Sequence, residues 1–295
     1  MRVYYYRPEE VGLTAFPPGC ITLLGSIVEV TENPAEADVF VVLPDITHVS
    51  NEQLQALPYL KGNERRHVFF SISENPRRTV GIPAIIFRTD MNRHLLEAGE
   101  TTTMTWPWGS ANYYQPITEF KYDVCFQGWQ GMTDLVHRSC QSVSESGLTH
   151  HIQINEEFFG NYEARGEVDK VAELRRTYLE SMAVSRLVLA PQSHASGVIR
   201  YKTFEAMSAG HIPVIIGDFS IPPLEDRIDY SKCLLRINEQ DVDRAGEILK
   251  DWLSRHPDDE IIEMGKYGHA AWAEWLDDDL WNYTWARLVK EKLGL

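Results

Sequence analysis

The chain has 295 residues, of which 43% are hydrophobic and 24% charged, an ordinary globular composition with apolar material for one large domain or two cores. Its formal charge is −15 and its pI near 5.1, so its surface repels phosphate backbones and anionic lipid; this argues against nucleic-acid and membrane partners and requires any anionic ligand to find a local pocket of positive charge. Cys20, Cys125, Cys140 and Cys233 form no CxxC pair, no apolar run of about 18 residues occurs, and MRVYYYRPEEVG lacks the apolar core of a signal peptide. The expectation is a soluble cytoplasmic protein with free thiols and no zinc site, as a monomer or homodimer.

In chain order, RVYYY (2–6) reads as a strand, and ITLLGSIVEV (21–30) mixes apolar and small residues before a Glu/Asn/Pro turn. NPAEADVFVVLP (33–44) carries a short helical signal and then an apolar strand from Val39 to Leu43. RHVFFSISENP (66–76) and IPAIIFRTD (82–90) supply two more strands. Continuous apolar runs of this kind belong to parallel sheets covered on both faces. Residues 101–120, rich in Thr, Pro, Gly and aromatics and without a period, read as the linker between halves. The predicted domains are therefore 1–118 and 119–295.

The second half restarts the alternation. Strands are predicted at 122–129, 150–155, 186–191, 211–218 and 233–238, with helices at 133–147, 167–185, 199–210 and 239–255. Two wound α/β halves result. The remaining tail is helical. Its Trp281, Trp285 and Leu288 share a face, either a sugar-stacking platform or, as preferred here, a face packed on the body of the protein.

The chemistry concentrates in RLVLAPQSHASGVIRYKTFEAMSAGHIPVIIGD (186–218). A strand ends at Pro191, a loop of small polar residues runs from Gln192 to Gly197, and a helix is expected to start near 197–199. Helix N-termini beyond the carboxyl ends of parallel strands suit a diphosphate. Arg200 and Lys202, in the first turn, oppose the helix dipole by roughly 0.3–1 kcal/mol each, which a bound anion would offset; the other reading is two solvated charges. Glu205 is either a surface i, i+3 partner of Lys202 or a carboxylate that accepts the hydroxyls of a ribose. The residues alone leave both readings open.

The wording of this stretch resembles the exostosin family of glycosyltransferases. That family carries a C-terminal "LAPRG…S-x-R-x-x-EA-x-x-x-G-x-IPVI" block followed by "LPF-x-D-x-x-D(Y/W)SK"; this chain has LAPQS, YKTFEAMSAGHIPVIIGD and IPPLEDRIDYSKCLLRINEQDV (221–242). In the first half, NPAEADVFVVLP and LPYLKGNERRHVFF (57–70) are similar to the family's "dPeeADvFfvP" and "LPyW…GrdHvff". The resemblance covers roughly residues 30–255. It implies a GT-B fold, with two Rossmann-like domains facing each other across a cleft and a final helix that crosses back. It also implies an acceptor in the first domain, a UDP-sugar in the second, inversion at the anomeric carbon, and no metal or other cofactor. Gln192 and Ser193 stand where the family has Arg-Gly, Lys202 stands for its Arg, and the loop is about two residues longer. Arg200 then supplies the missing guanidinium, with Gln192, Ser193, Ser196 and Gly197 lining the loop.

For the base that takes the acceptor proton, Glu74 after the HVFFSIS strand is preferred, because the family often carries an acidic residue there. Asp45, with His48 beside it, is second, ahead of Asp90. Gly128, Trp129 and Gln130, after the first strand of the second half, are expected to approach the phosphates, and Asp218 the donor sugar. The lost cation favours xylose or galactose over glucuronate, and the acceptor is a hydroxyl of a glycan. The absence of a membrane anchor suggests a bacterial or viral origin. Two other readings are an epimerase or hydrolase of sugar nucleotides on the same frame, and an inactive glycan-binding partner subunit.

Overall fold

The structure is a computed structural model. It describes residues 1–12, 28–43, 46, 49–71, 79–89, 91, 93–97, 103–105, 111–117, 119–131, 133–192 and 198–295, the side chains of 103–105 and 278–282 excepted. The chain divides into two compact units. The first comprises Met1–Pro107, Phe219–Leu224 and Asp278–Leu295; the second comprises Trp108–Asp218 and Glu225–Asp277.

Unit 1 contains β1 (Arg2–Tyr5), α1 (Pro8–Val11), β2 (Glu29–Val30), β3 (Val39–Val42), α2 (Asn51–Gln55), β4 (His67–Ser71), β5 (Ile85–Arg88), α3 (Arg93–Glu97) and β6 (Thr103–Thr105). The strands form one parallel sheet in the order β2-β1-β3-β4-β5-β6. Every residue of β3, β4 and β5 is buried, as the continuous apolar runs require of a sheet with no wet face. Helix α2 begins with a capping box in which Ser50 and Gln53 satisfy each other's backbone N–H groups. Residues 219–224 return to this unit: the Arg93 N–H donates to the Phe219 carbonyl at 3.0 Å and the Ile221 N–H to that of Met91 at 3.3 Å.

Unit 2 contains β7 (Tyr122–Trp129), α4 (Leu135–Glu145), β8 (His150–Asn155), α5 (Phe159–Ala164), α6 (Val168–Ala183), β9 (Ser185–Pro191), α7 (Tyr201–Ala209), β10 (Ile212–Ile216), β11 (Leu235–Ile237), α8 (Ala245–Arg255) and α9 (Asp258–Trp275). Its sheet is parallel, in the order β11-β10-β9-β7-β8. Alternation along the strands divides its core. Val124, Phe126, Leu187, Leu189 and Val214 pack with residues of α4 and α8, while Cys125 and Val188 pack with Tyr178 and Met182 of α6 and Ala206 and Ala209 of α7. Cys125, Cys140 and Cys233 are free and buried.

The last helix, α10 (Asp278–Leu293), belongs to unit 1, where the Trp285 ring meets Phe70 edge-on at 6.0 Å. Trp285 and Leu288 are buried, so this face is packed and is no open sugar platform; the side chain of Trp281 lies outside the described residues. Three expectations need correction. The segment read as linker opens with β6, an edge strand paired at Ile86↔Thr103, whose threonines lack the apolar run of a central strand. The short α5 was not expected. Helix α7 starts at Tyr201, because Arg200 is still extended (φ −69°, ψ 147°) and occupies the N-cap position.

Candidate functional site

In unit 2, β7 is flanked by β8 on one side and β9 on the other, so the strand order reverses between β7 and β9. Ligands of open α/β sheets bind beyond the carboxyl ends of the strands at such a reversal. Gly128 lies at that end of β7, and α7 follows β9. Every residue of α7 from Lys202 to Ala209 is buried, which closes off the solvated-charge reading for Lys202 and Glu205.

Lys202 is 4% exposed. Its ammonium lies 4.0 Å from the centre of the Tyr178 ring, 5.5 Å from Tyr201 and 5.8 Å from Phe126. Among the described residues it has no hydrogen bond and no ion pair. Aromatic faces replace part of the lost hydration of a cation, up to about 2 kcal/mol, but they do not replace an anion. Burial pulls its pKa down to about 8, against the opposing pull of Glu205, and Arg200 and Arg175 push in the same direction as burial.

Gly128 makes room for this ammonium. A Cβ there would stand 2.9 Å from Lys202 Cε and 3.3 Å from Nζ. The residue expected to admit phosphates to the backbone is thus, in the first place, the one that admits Lys202.

Glu205 is 3% exposed. Its Oε1 accepts from Arg175 Nη1 at 2.6 Å, and its Oε2 is buried with no hydrogen-bond partner among the described residues. Arg175, from α6, also donates through Nη2 to the Tyr113 hydroxyl and stands over the Tyr113 ring at 4.8 Å. Burial pulls the Arg175 pKa down, and the carboxylate of Glu205 outweighs it, so the group titrates above its usual range. The Tyr178 hydroxyl is pushed well up, by burial and then by Glu205. Arg175, Arg200 and Lys202 together concentrate positive charge around one carboxylate, in a chain whose net charge is −15.

Other expected residues have settled partners. The Gln192 N–H donates to Ile216 O at 2.9 Å, and its carbonyl accepts from Thr133 Oγ1 at 2.8 Å; its side chain occupies the space that a Cβ at Gly217 (φ 152°) would need. Gln192 Nε2 is buried without a partner among the described residues. Asp218 Oδ1 accepts the Glu239 N–H at 2.9 Å, so it caps the turn that begins there. Burial and then the Asp218 charge raise the Glu239 pKa. Gln130 Oε1 meets His137 Nε2 at 2.5 Å on the exposed side of α4. Trp129 is half-buried and meets Phe158 edge-on at 6.2 Å.

The structure therefore brings Gly128, Lys202 and Glu205 together with Arg200, and engages Gln130 and Asp218 elsewhere. Glu74, Asp45, His48, Asp90, Ser193, Ser196 and Gly197 lie outside the described residues. Arg175, Tyr113 and Tyr178 were not anticipated. In the sequence Arg175 stands beside Arg176, which forms an ordinary i, i+4 pair with Glu180, and nothing local distinguishes the two. Tyr178 carried a weak signal: with Leu174 and Met182 it forms an i, i+4, i+8 stripe.

Among the described residues no group of three His, Cys, Asp or Glu side chains stands close enough to hold a metal ion, and no helix is long and apolar enough to cross a membrane.

The structure of a glycosyltransferase from Rickettsia africae ESF-5 is similar over 99% of this chain and 98% of its own, with TM-score 0.50 and 8% identity. TarM (TM-score 0.46, 11% identity, 85% of this chain and 54% of TarM) and AviGT4, a glycosyltransferase involved in avilamycin A biosynthesis (TM-score 0.42, 13% identity, 100% and 98%), are also similar. No curated protein sequence matches the chain. Two parallel-sheet α/β units with this likeness define a GT-B glycosyltransferase fold. The exostosin GT47 domain matches residues 10–252, and the chain belongs to the exostosin GT47 family of glycosyltransferases.

Proposed function

We propose that the protein transfers a sugar, xylose or galactose in preference to glucuronate, from a UDP-sugar to a hydroxyl of a glycan, with inversion and without a metal. The observation that carries this reading is the pair on α7: a buried ammonium with no ion pair among the described residues, and, three residues on, a buried carboxylate with one oxygen that has no hydrogen-bond partner among them. Burying such groups without partners is costly. A nucleoside diphosphate meets both needs. Its pyrophosphate takes Lys202, aided by Arg200 and the N–H groups opening α7, and its ribose hydroxyls donate to Glu205 Oε2.

In the reaction the acceptor oxygen attacks the anomeric carbon from the face opposite the diphosphate. The bond from that carbon to the phosphate oxygen breaks with its electron pair, and UDP leaves with the added charge held by Lys202 and the start of α7. The acceptor proton passes to a carboxylate; Glu74 is proposed, then Asp45.

A thermal-shift series with UDP, ADP, GDP and five UDP-sugars (xylose, galactose, glucuronate, arabinose and N-acetylglucosamine) tests the donor. Selective stabilisation by UDP and one UDP-sugar is expected; equal response to ADP and GDP overturns the uridine assignment, and no response to any overturns the site. The anomeric configuration of the product, read by NMR, tests inversion. UDP release that needs no acceptor indicates a hydrolase instead.

A further inference from the structure

Lys202 and Glu205 lie three residues apart on one buried helix, a spacing at which opposite charges ordinarily pair. In a low-dielectric interior the incentive to pair is larger still. Yet among the described residues the carboxylate makes its ion pair with Arg175, through Oε1 at 2.6 Å, and Lys202 makes none. Arg175 reaches Glu205 from α6, a different helix, and is itself fixed at its other nitrogen by the hydroxyl of Tyr113 and over that residue's ring. Tyr113 packs against the core formed by Cys125, Tyr178, Met182, Val188, Ala206 and Ala209, so the clamp is anchored to the body of unit 2.

We infer that Arg175, held by Tyr113, is a positioning residue: it turns Glu205 away from Lys202, so that the carboxylate stays open to ribose and the ammonium to phosphate. Without it the two groups on α7 neutralise each other and the ligand meets neither. The inference rests on the reading that Glu205 takes the ribose. It assigns to Arg175 no contact with the substrate; it acts through the carboxylate.

The test is the ratio of affinities for UDP and for its 2′,3′-dideoxy analogue, which lacks both hydroxyls, measured by calorimetric titration. Loss of a hydrogen bond to a buried carboxylate reads as roughly a tenfold or greater weakening, so the wild-type chain is expected to prefer UDP by about that factor. Removing the positive charge of Arg175 acts on the two ligands alike. Freeing Glu205 acts on the ratio. In Arg175→Met the ratio is expected to collapse towards one. In Arg175→Lys and Tyr113→Phe, which each keep part of the clamp, it is expected to fall to intermediate values.

A wild-type ratio retained in Arg175→Met overturns the inference. If that variant does not fold, a wild-type ratio in both Arg175→Lys and Tyr113→Phe does so. No preference in the wild type itself removes the ribose role of Glu205, and the inference with it. A wild-type preference lost in Glu205→Gln but kept in the Arg175 and Tyr113 variants leaves the ribose role standing and overturns only the clamp.

Discussion

Lys202 carries a charge whose burial has a cost. Burial lowers its pKa from 10.5 to about 8, which corresponds to about 3 kcal/mol at neutral pH. The unfolded chain binds this proton more tightly than the folded one between those two values, so stability from this group rises with pH across that window and is lowest below it. Lys202→Met is therefore expected to make the unliganded protein more stable at pH 7, by up to about 3 kcal/mol in denaturant unfolding, while impairing donor binding. A wild-type-like or lower midpoint contradicts this. For the proposed diphosphate, binding has the opposite sign, because it needs the protonated amine. UDP affinity is expected to be flat from pH 7 to near 8 and to weaken above it, approaching tenfold per pH unit. Lys202→Arg, which does not titrate in this range, removes that decline. Gly128→Ala separates space from charge. Its Cβ is crowded by the flexible end of Lys202 and makes ordinary contact with Phe126, so stability is expected to change by less than about 1 kcal/mol, while UDP binding weakens as the ammonium is displaced.

At the scale of elements, α7 is held at its C-terminal end. Its C-terminus closes on Gly210 in the left-handed conformation (φ 80°), and α9 approaches so closely there that a Cβ at Gly265 would strike the Gly210 carbonyl oxygen. That neighbour is backbone and cannot swing aside. Gly265→Ala is expected to destabilise by about 1–3 kcal/mol or more, lowering the unfolding midpoint of unit 2; an unchanged midpoint contradicts the close approach. The strands were legible in the sequence because runs such as VFVVL and IPVII are apolar on both faces, which only a doubly covered sheet accommodates. β6 was not, since a threonine-rich edge strand has no such run, and neither was the single-turn-scale α5. The helix carrying Lys202 and Glu205 was legible in type and C-cap but not in its start, which Arg200 delays by remaining extended. The clamp on Glu205 was hidden for a different reason. Arg175 and Glu205 are 30 residues apart, and a contact between two helices leaves no local trace.

At the scale of the molecule, each unit owns a core, and the chain visits unit 1 three times. The final helix brings Trp285 against Phe70, and Trp285 is 1% exposed. Trp285→Ala is expected to cost about 3–5 kcal/mol, felt in unit 1. In calorimetry resolved into two transitions, UDP is expected to raise the transition of unit 2, by about 2.7 kcal/mol of stability at one hundred times its Kd, and Trp285→Ala to lower the other. A UDP response confined to the transition sensitive to Trp285 contradicts the assignment of the donor site to unit 2. The net charge of −15 bears on the same proposal, because the proposed anionic donor would have to be drawn to the local cations Arg175, Arg200 and Lys202. The most direct measurement is a calorimetric titration of UDP and of uridine into the wild type and Lys202→Met at pH 7. The expected result is UDP affinity reduced roughly ten- to hundredfold in the variant, with uridine affinity unchanged; equal UDP affinity in the two proteins contradicts the account.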